Sequence, residues 1–131
     1  MVNRVTKYVS LVQSHLKKVN HATNNQILKA LREEYPNLTP TTVHRITDRL
    51  VKINKIKLAP STDHNSMRFD SNLISHDHFN CKNCDRLRDV IIPRKILTSL
   101  QSLLPDCQLN GELTIIGTCG ECLKKLDYIK I

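Results

Sequence analysis

The sequence predicts an α+β protein, with an N-terminal winged helix-turn-helix followed by a small α/β dimerisation domain that zinc holds together. Three observations predict this fold. The first 60 residues carry apolar side chains at helical spacing, two strand-like stretches follow them, and two Cys-x-x-Cys pairs frame the second half. We expect the winged-helix domain over residues 1–70, a hinge over 71–75, and the dimerisation domain over 76–131, ending in a loose tail from about residue 123.

Capping residues mark two helices of the first half. Thr23 can cap the second helix of the chain, and Gln26 three residues further completes a capping box. Thr39 begins the third helix, and Pro40 occupies its first position, where a missing N–H costs nothing. The side chains of this third helix that we expect to face a core are Val43, Ile46, Leu50 and Ile53.

The free face of the third helix predicts DNA binding. In a winged helix-turn-helix, this helix enters the major groove and presents its N-terminal residues to base edges. The formal net charge of +8 suits an anionic partner such as double-stranded DNA. The residues expected to contact DNA are Thr41, Thr42, His44, Arg45 and Arg49. A helical bundle whose basic face is only solvated is the alternative.

Short strands are predicted after these helices. Two stretches of mixed polarity, Ile56-Lys57-Leu58 and Met67-Arg68-Phe69, surround a polar turn and are typical of a hairpin wing. The elements predicted for the second half are strands over 78–81, 87–92 and 112–117 and a helix over 93–104. This helix carries a broad apolar stripe, so we expect part of its surface to be buried in a partner.

Four cysteines in two closely spaced pairs predict a structural zinc site. The pairs are Cys81-Lys82-Asn83-Cys84 and Cys119-Gly120-Glu121-Cys122, and two intervening residues let both sulfurs of a turn face one ion. Four thiolates about 2.3 Å from a tetrahedral Zn²⁺ make a closed structural site. A redox dithiol, the alternative, needs only one such pair. Cys107 stands alone and is interpreted as a small buried hydrophobic residue.

Histidines and aspartates indicate a second metal site. His76 and His78 alternate on a predicted strand, so both imidazoles point to one face, and Asp70 and Asp89 are near in sequence. Nitrogen and oxygen donors favour Fe²⁺, Mn²⁺ or Zn²⁺ over an ion that seeks thiolates. Separate surface residues are the alternative interpretation of the same spacing.

Other classes of protein are disfavoured. Lys7, Ser10 and Gln13 interrupt the apolar core that a signal peptide requires, and no apolar run is long enough to span a membrane. We therefore expect a cytoplasmic protein with no membrane partner. No nucleophile with an adjacent base is evident, and the histidines are explained as metal ligands, so we do not expect an enzyme.

Four segments of the chain carry a family resemblance: Thr42-Val43-His44-Arg45, Arg68-Phe69-Asp70, His76-Asp77-His78-Phe79-Asn80-Cys81-Lys82-Asn83-Cys84 and Gly117-Thr118-Cys119-Gly120-Glu121-Cys122. With these segments, the chain resembles the ferric uptake regulator family over roughly residues 4 to 125. The resemblance implies a dimeric, metal-dependent bacterial repressor that binds operator DNA. It also implies that the structural zinc is held by Cys81, Cys84, Cys119 and Cys122.

The resemblance further implies a regulatory metal ion, Fe²⁺ or Mn²⁺ with Zn²⁺ as a further candidate. Its ligands would be His21, Asp70, His76, His78 and Asp89. Aspartate at both acidic positions resembles the peroxide-sensing branch of the family more than the iron-uptake branch. Hydrogen peroxide would then oxidise His21 or His76 and release the DNA. An iron- or zinc-uptake regulator without peroxide sensing is one alternative, and a zinc-stabilised protein-interaction or metal-handling factor is another.

Three positions depart from the family pattern. His44 stands where the family usually has tyrosine, within the predicted DNA-contacting helix. Asn54 and Asp85 stand where the family usually has glycine. Asparagine can still adopt the left-handed backbone that such a glycine serves.

Overall fold

The structure, a computed structural model, describes residues 4–129 and comprises two compact units that divide between Ile74 and Ser75. It is mixed α+β, as predicted, with two three-stranded sheets. The elements are α1 (Arg4–Val19), β1 (His21–Thr23), α2 (Asn24–Arg32), α3 (Pro40–Lys52), β2 (Lys57–Ala59), β3 (Arg68–Asp70), β4 (Asp77–Cys81), β5 (Leu87–Val90), α4 (Arg94–Ser102), β6 (Thr114–Gly117) and α5 (Gly120–Ile129). Within residues 4–129, no helix has the length and apolar character needed to cross a bilayer.

Helices α2 and α3 of the first unit begin where the capping residues predict. Thr23 Oγ1 accepts a hydrogen bond from Gln26 N at 3.1 Å, and Gln26 Oε1 accepts one from Thr23 N at 2.9 Å, which confirms the capping box. Thr39 caps α3, and Pro40 is its first residue. The prediction that Ile53 faces the core is wrong, since it is 51 % exposed. It is the C-cap residue, whose non-helical backbone (φ −94°, ψ 11°) turns its side chain away from the apolar stripe.

The wing of the first unit is a sheet with the order β1-β3-β2, and all neighbours are antiparallel. The predicted hairpin is β2 and β3, in which Leu58 pairs with Phe69. The sequence reasoning missed β1, which pairs along the other edge of β3 and places His21 opposite Asp70. Three residues are too few to produce an alternating pattern, so only tertiary pairing reveals this strand.

The second unit contains a sheet with the order β5-β4-β6. Strand β4 is antiparallel to β5 and parallel to β6. The pairing places His78 opposite Asp89 on one side and opposite Thr114 on the other. Helix α4 follows Pro93 and has no buried residue. The predicted strands and helix are all present, with ends that differ by at most two residues.

Two predictions for the second unit are wrong. The chain beyond residue 123 is not a loose tail, because α5 continues to Ile129. Its first turn is anchored by the cysteine pair: Cys122 is buried, and Leu123 N donates to Cys119 O at 2.9 Å. Cys107 is exposed rather than buried, since it lies in an irregular segment after α4.

Candidate metal centres and DNA-binding face

The four paired cysteines of the second unit form one compact thiol group. Cys81 Sγ lies 3.8 Å from Cys122 Sγ, and Cys84 Sγ lies 3.8 Å from Cys119 Sγ. All four sulfurs lie within 4.8 Å of one another. In a regular tetrahedron with Zn–S bonds of about 2.3 Å, sulfurs are about 3.8 Å apart, so the group fits Zn²⁺. Disulfide sulfurs would be about 2 Å apart.

Backbone geometry positions these sulfurs. Cys81 ends β4, and the turn that follows closes with a 2.8 Å hydrogen bond from Asp85 N to Cys81 O. Asp85 adopts a left-handed backbone with φ 62°, as does Asn54 with φ 58°. Both are positions where the resemblance places glycine, so the same turns form here without it.

The thiols differ in acidity. The backbone N–H of Cys119, which lies 3.3 Å from Cys81 Sγ, and that of Cys84 lower the pKa of Cys81 to about 6. The N–H of Arg86 acts to lower the pKa of Cys84, but burial and the neighbouring thiols raise it to about 11. Four thiolates therefore require a cation among them, and zinc binding would release protons.

The second unit also holds a His/Asp group of three residues, which we call the rear group: His76, His78 and Asp89. Asp89 Oδ1 lies 3.1 Å from His76 Nε2 and 3.6 Å from His78 Nε2. The imidazole centroids are 4.4 Å apart, as expected for side chains on one face. His78 is buried, and Asp89, its partner across β4 and β5, remains 42 % exposed. One divalent cation could contact all three donors.

The first unit holds a smaller group, the front pair, formed by His21 and Asp70. His21 Nε2 lies 3.5 Å from Asp70 Oδ2, and the two side chains are 8 % and 0 % exposed. They are opposite one another across β1 and β3. Asn72 N donates to Asp70 Oδ1 at 2.8 Å, which fixes the orientation of the carboxylate. A buried carboxylate beside an imidazole supplies the donors that Fe²⁺, Mn²⁺ or Zn²⁺ accepts.

The predicted DNA-contacting residues lie on the exposed side of α3. Thr41, His44, Arg45 and Arg49 are exposed, and Thr42 is half-buried. The residues that α3 buries are Val43, Ile46, Thr47 and Leu50. Asp48 also lies on the exposed side, where it pairs with Lys52 at 2.9 Å.

Sequence reasoning missed two polar residues, one that holds helix α3 against α2 and one that contacts His76 of the rear group. Thr47 is buried on α3, and its hydroxyl donates to Asn24 Oδ1 at 2.7 Å, which ties α3 to α2. Glu112 accepts a 2.7 Å hydrogen bond from the backbone N of His76. Its distance of 36 residues along the chain from His76 leaves no spacing pattern that could have revealed the contact.

Comparison with known proteins places the chain in a family. The model of the ferric uptake regulator family matches residues 4–104. The peroxide-responsive repressor PerR of Staphylococcus aureus is 28 % identical over 117 residues, which cover 88 % of this chain and 76 % of that protein.

Solved structures share the fold. The ferric uptake regulator of Helicobacter pylori, described as having three functional metal binding sites, superposes with a TM-score of 0.73 at 21 % identity, over 89 % of this chain and 80 % of that one. The peroxide stress regulator of Campylobacter jejuni gives 0.67 at 16 % identity, over 91 % of each chain. With a family match over most of its length, a Cys₄ group and a His/Asp group, this chain belongs to the ferric uptake regulator family and is one of its metal-responsive regulators.

Proposed function

We propose that the protein is a dimeric, metal-dependent repressor that binds operator DNA through α3. Regulators of the family bind DNA as dimers and are not enzymes. The observation that carries the proposal is the split donor set: the front pair lies on the DNA-binding unit, and the rear group lies on the other unit. Neither group alone supplies the octahedral donor set typical of Mn²⁺, since the larger of the two has three side-chain ligands.

The exposed face of α3 supports DNA recognition. His44 and Arg45 lie in its first two turns, where a helix inserted in the major groove meets base edges. Arg49 lies one turn after Arg45, a spacing that suits contact with a phosphate. The Asp48–Lys52 ion pair offsets the one carboxylate on this side of the helix.

We propose that one ion shared by the front pair and the rear group fixes the orientation of the DNA-binding unit. Both α3 helices of a dimer must match half-sites about one turn of DNA apart, so an ion that holds the unit favours simultaneous contact. By linkage, the metal ion and operator DNA should strengthen each other's binding. Fe²⁺ or Mn²⁺ fits the three imidazoles and two carboxylates best, and Zn²⁺ is a further candidate.

The proposal is tested by fluorescence anisotropy with DNA from upstream of the protein's own gene. The protein retains its zinc, and Mn²⁺ is added or withheld. We expect Mn²⁺ to tighten DNA binding by about tenfold or more, and His21→Ala and His78→Ala to lose this stimulation. His15→Gln, on α1, is the matched control and should keep it.

Each outcome discriminates. Stimulation that survives His21→Ala would exclude an ion shared between the units. Absence of any DNA binding, with or without Mn²⁺, would favour a zinc-stabilised protein-interaction factor. Steep loss of affinity as salt rises is expected for genuine phosphate contacts.

We further propose that the protein senses hydrogen peroxide, because its relative from S. aureus is a peroxide-responsive repressor. When bound, Fe²⁺ would supply an electron for cleavage of the peroxide O–O bond. His21 and His76 are the imidazoles expected to gain one peroxide oxygen, and the other oxygen would leave as water. The iron-loaded protein is treated with a modest excess of peroxide, and its peptides are mapped by mass. Retained DNA binding without added oxygen on either histidine would leave a metal-uptake regulator.

A further inference from the structure

Glu112 contacts His76 through both the backbone and the imidazole. Its Oε2 accepts a hydrogen bond from His76 N at 2.7 Å and lies 3.8 Å from His76 Nδ1. The side chain of His76 is 11 % exposed and that of Glu112 is 31 % exposed, so the contact is partly shielded from water. Both residues belong to the second unit.

The contact continues the register of the sheet beyond its ends. Strands β4 and β6 are parallel, with His78 opposite Thr114, so two residues earlier His76 falls opposite Glu112. Neither residue belongs to a strand, because β4 begins at Asp77 and β6 at Thr114. The Glu112 carboxylate therefore accepts the backbone N–H of His76 where the ladder of backbone hydrogen bonds has stopped.

A reciprocal bond reinforces the contact. Asp77 Oδ1 accepts a hydrogen bond from Leu113 N at 2.9 Å, and His78 N donates to Leu113 O at 3.0 Å. Each segment thus offers a carboxylate to the backbone of the other. The pair of side-chain bonds holds the segment that carries His76, although it lies outside the strand.

We propose that Glu112 is a positioning residue that presents His76 Nε2 to the regulatory metal ion. Glu112 lies beside Nδ1, while Nε2 faces Asp89 Oδ1 at 3.1 Å. A carboxylate beside the second nitrogen of a metal-binding histidine fixes its tautomer and ring orientation and raises its basicity. This inference rests on the proposed metal-dependent function.

Glu112 is not placed to be a ligand itself. Its Oε2 accepts the His76 N–H and lies on the Nδ1 side of the ring, and Glu112 is not among the donors that lie within 4.8 Å of one another. The rear group presents its donors on the Nε2 side of both imidazoles, around Asp89 Oδ1. Glu112 therefore acts through His76.

The test measures Mn²⁺ affinity of the full chain, with its zinc retained, from the EPR signal of free Mn²⁺. We expect Glu112→Ala to raise the Kd by about tenfold or more, as for other carboxylates behind a metal-binding histidine. Glu112→Gln keeps an oxygen that can accept from His76 N and should recover part of the loss. Asp106→Asn, which removes an exposed carboxylate elsewhere in the unit, is the matched control.

A second readout separates positioning from a structural role. Nitrogen NMR of the metal-free protein should show the Nδ1–H tautomer of His76 and a shift away from it in Glu112→Ala, with zinc content unchanged. An unchanged Mn²⁺ Kd and an unchanged tautomer in Glu112→Ala would overturn the inference. If His76→Ala binds Mn²⁺ as tightly as the parent protein, the proposed regulatory site itself is wrong.

Discussion

The two units of the molecule are stabilised by different means. The first unit buries a continuous apolar core, whose members are Val12, Leu16, Ala22, Ile27, Leu28, Leu38, Val43, Ile46, Leu50, Ile56 and Phe69. Among the described residues of the second unit, the buried cluster consists of Cys81, Cys119 and Cys122, with Phe79 packed against it. Buried aliphatic side chains therefore account for the stability of the first unit. In the second unit, metal binding by the cysteine thiols must replace them.

The aliphatic side chains of the second unit are present but uncovered. Ile115 and Ile116 are adjacent on β6, so they point to opposite faces of the sheet, and they are 46 % and 65 % exposed. Leu103, just after α4, is 74 % exposed. Exposed surface of this kind marks an interaction site, which supports the proposed dimer. We therefore expect the second unit to need a metal ion and a partner for its stability, whereas the first unit has an apolar core of its own.

Loss of a zinc ligand should have the largest effect. Zinc in small structural sites contributes about 10 kcal/mol or more of folding free energy. We expect Cys119→Ser to lose zinc and amide protection throughout the second unit, while α1 to α3 keep theirs, as measured by metal analysis and hydrogen exchange. Cys107→Ser, at an exposed thiol outside the group, should change neither. Equal loss of protection in both units would show that zinc does not stabilise the second unit selectively.

Truncation of a buried apolar side chain should have the second-largest effect, which is a loss of stability in the first unit. Leu50 is 2 % exposed, and replacing a buried leucine by alanine costs about 2–5 kcal/mol. Leu50→Ala should therefore lower the free energy of unfolding of the first unit by that amount, as measured by urea denaturation. Ile53→Ala, three residues later on the exposed side, should cost far less. Similar losses of unfolding free energy in the two variants would show that core burial does not dominate the stability of the first unit.

A charge on β6 should disrupt association without unfolding the chain. Burying an unpaired carboxylate costs several kcal/mol, so Ile116→Asp should weaken the dimer by about 100-fold or more. Analytical ultracentrifugation measures the change. Gln108→Asp adds the same charge at an exposed polar position and should leave the dimer intact. An unaltered dimer in Ile116→Asp would place the interface elsewhere.

Glycine at the left-handed positions should have the smallest effect. Asp85→Gly relieves a positive φ in the zinc-site turn and should stabilise the second unit by about 1 kcal/mol or less. Asn54→Gly should be near neutral, because asparagine tolerates this conformation better. Thermal unfolding with zinc bound measures both. Destabilisation by Asp85→Gly would mean that its side chain contributes more than its backbone strain costs.

Local chemistry explains why so much was predictable from the sequence. The caps at Thr23 and Thr39 and the paired cysteines act over three or four residues, so their spacing in the chain is their spacing in the fold. The prediction that His76 and His78 lie on one face was correct for the same reason, because alternation along a strand is also a local property. Ile53 and Cys107 were mispredicted because a helix end and an irregular segment turn side chains in ways that periodicity does not record.

By itself, the sequence determined the order of helices and strands apart from β1 and α5, the two cysteine pairs and the exposed side of α3, since each depends on residue type and local period. Only tertiary structure decided that His21 faces Asp70 and that His78 faces Asp89, because strand register joins residues far apart in the chain. The position of Glu112 beside His76 was decided in the same way. Pairing across a sheet is set by packing of whole elements, which no short run of residues specifies.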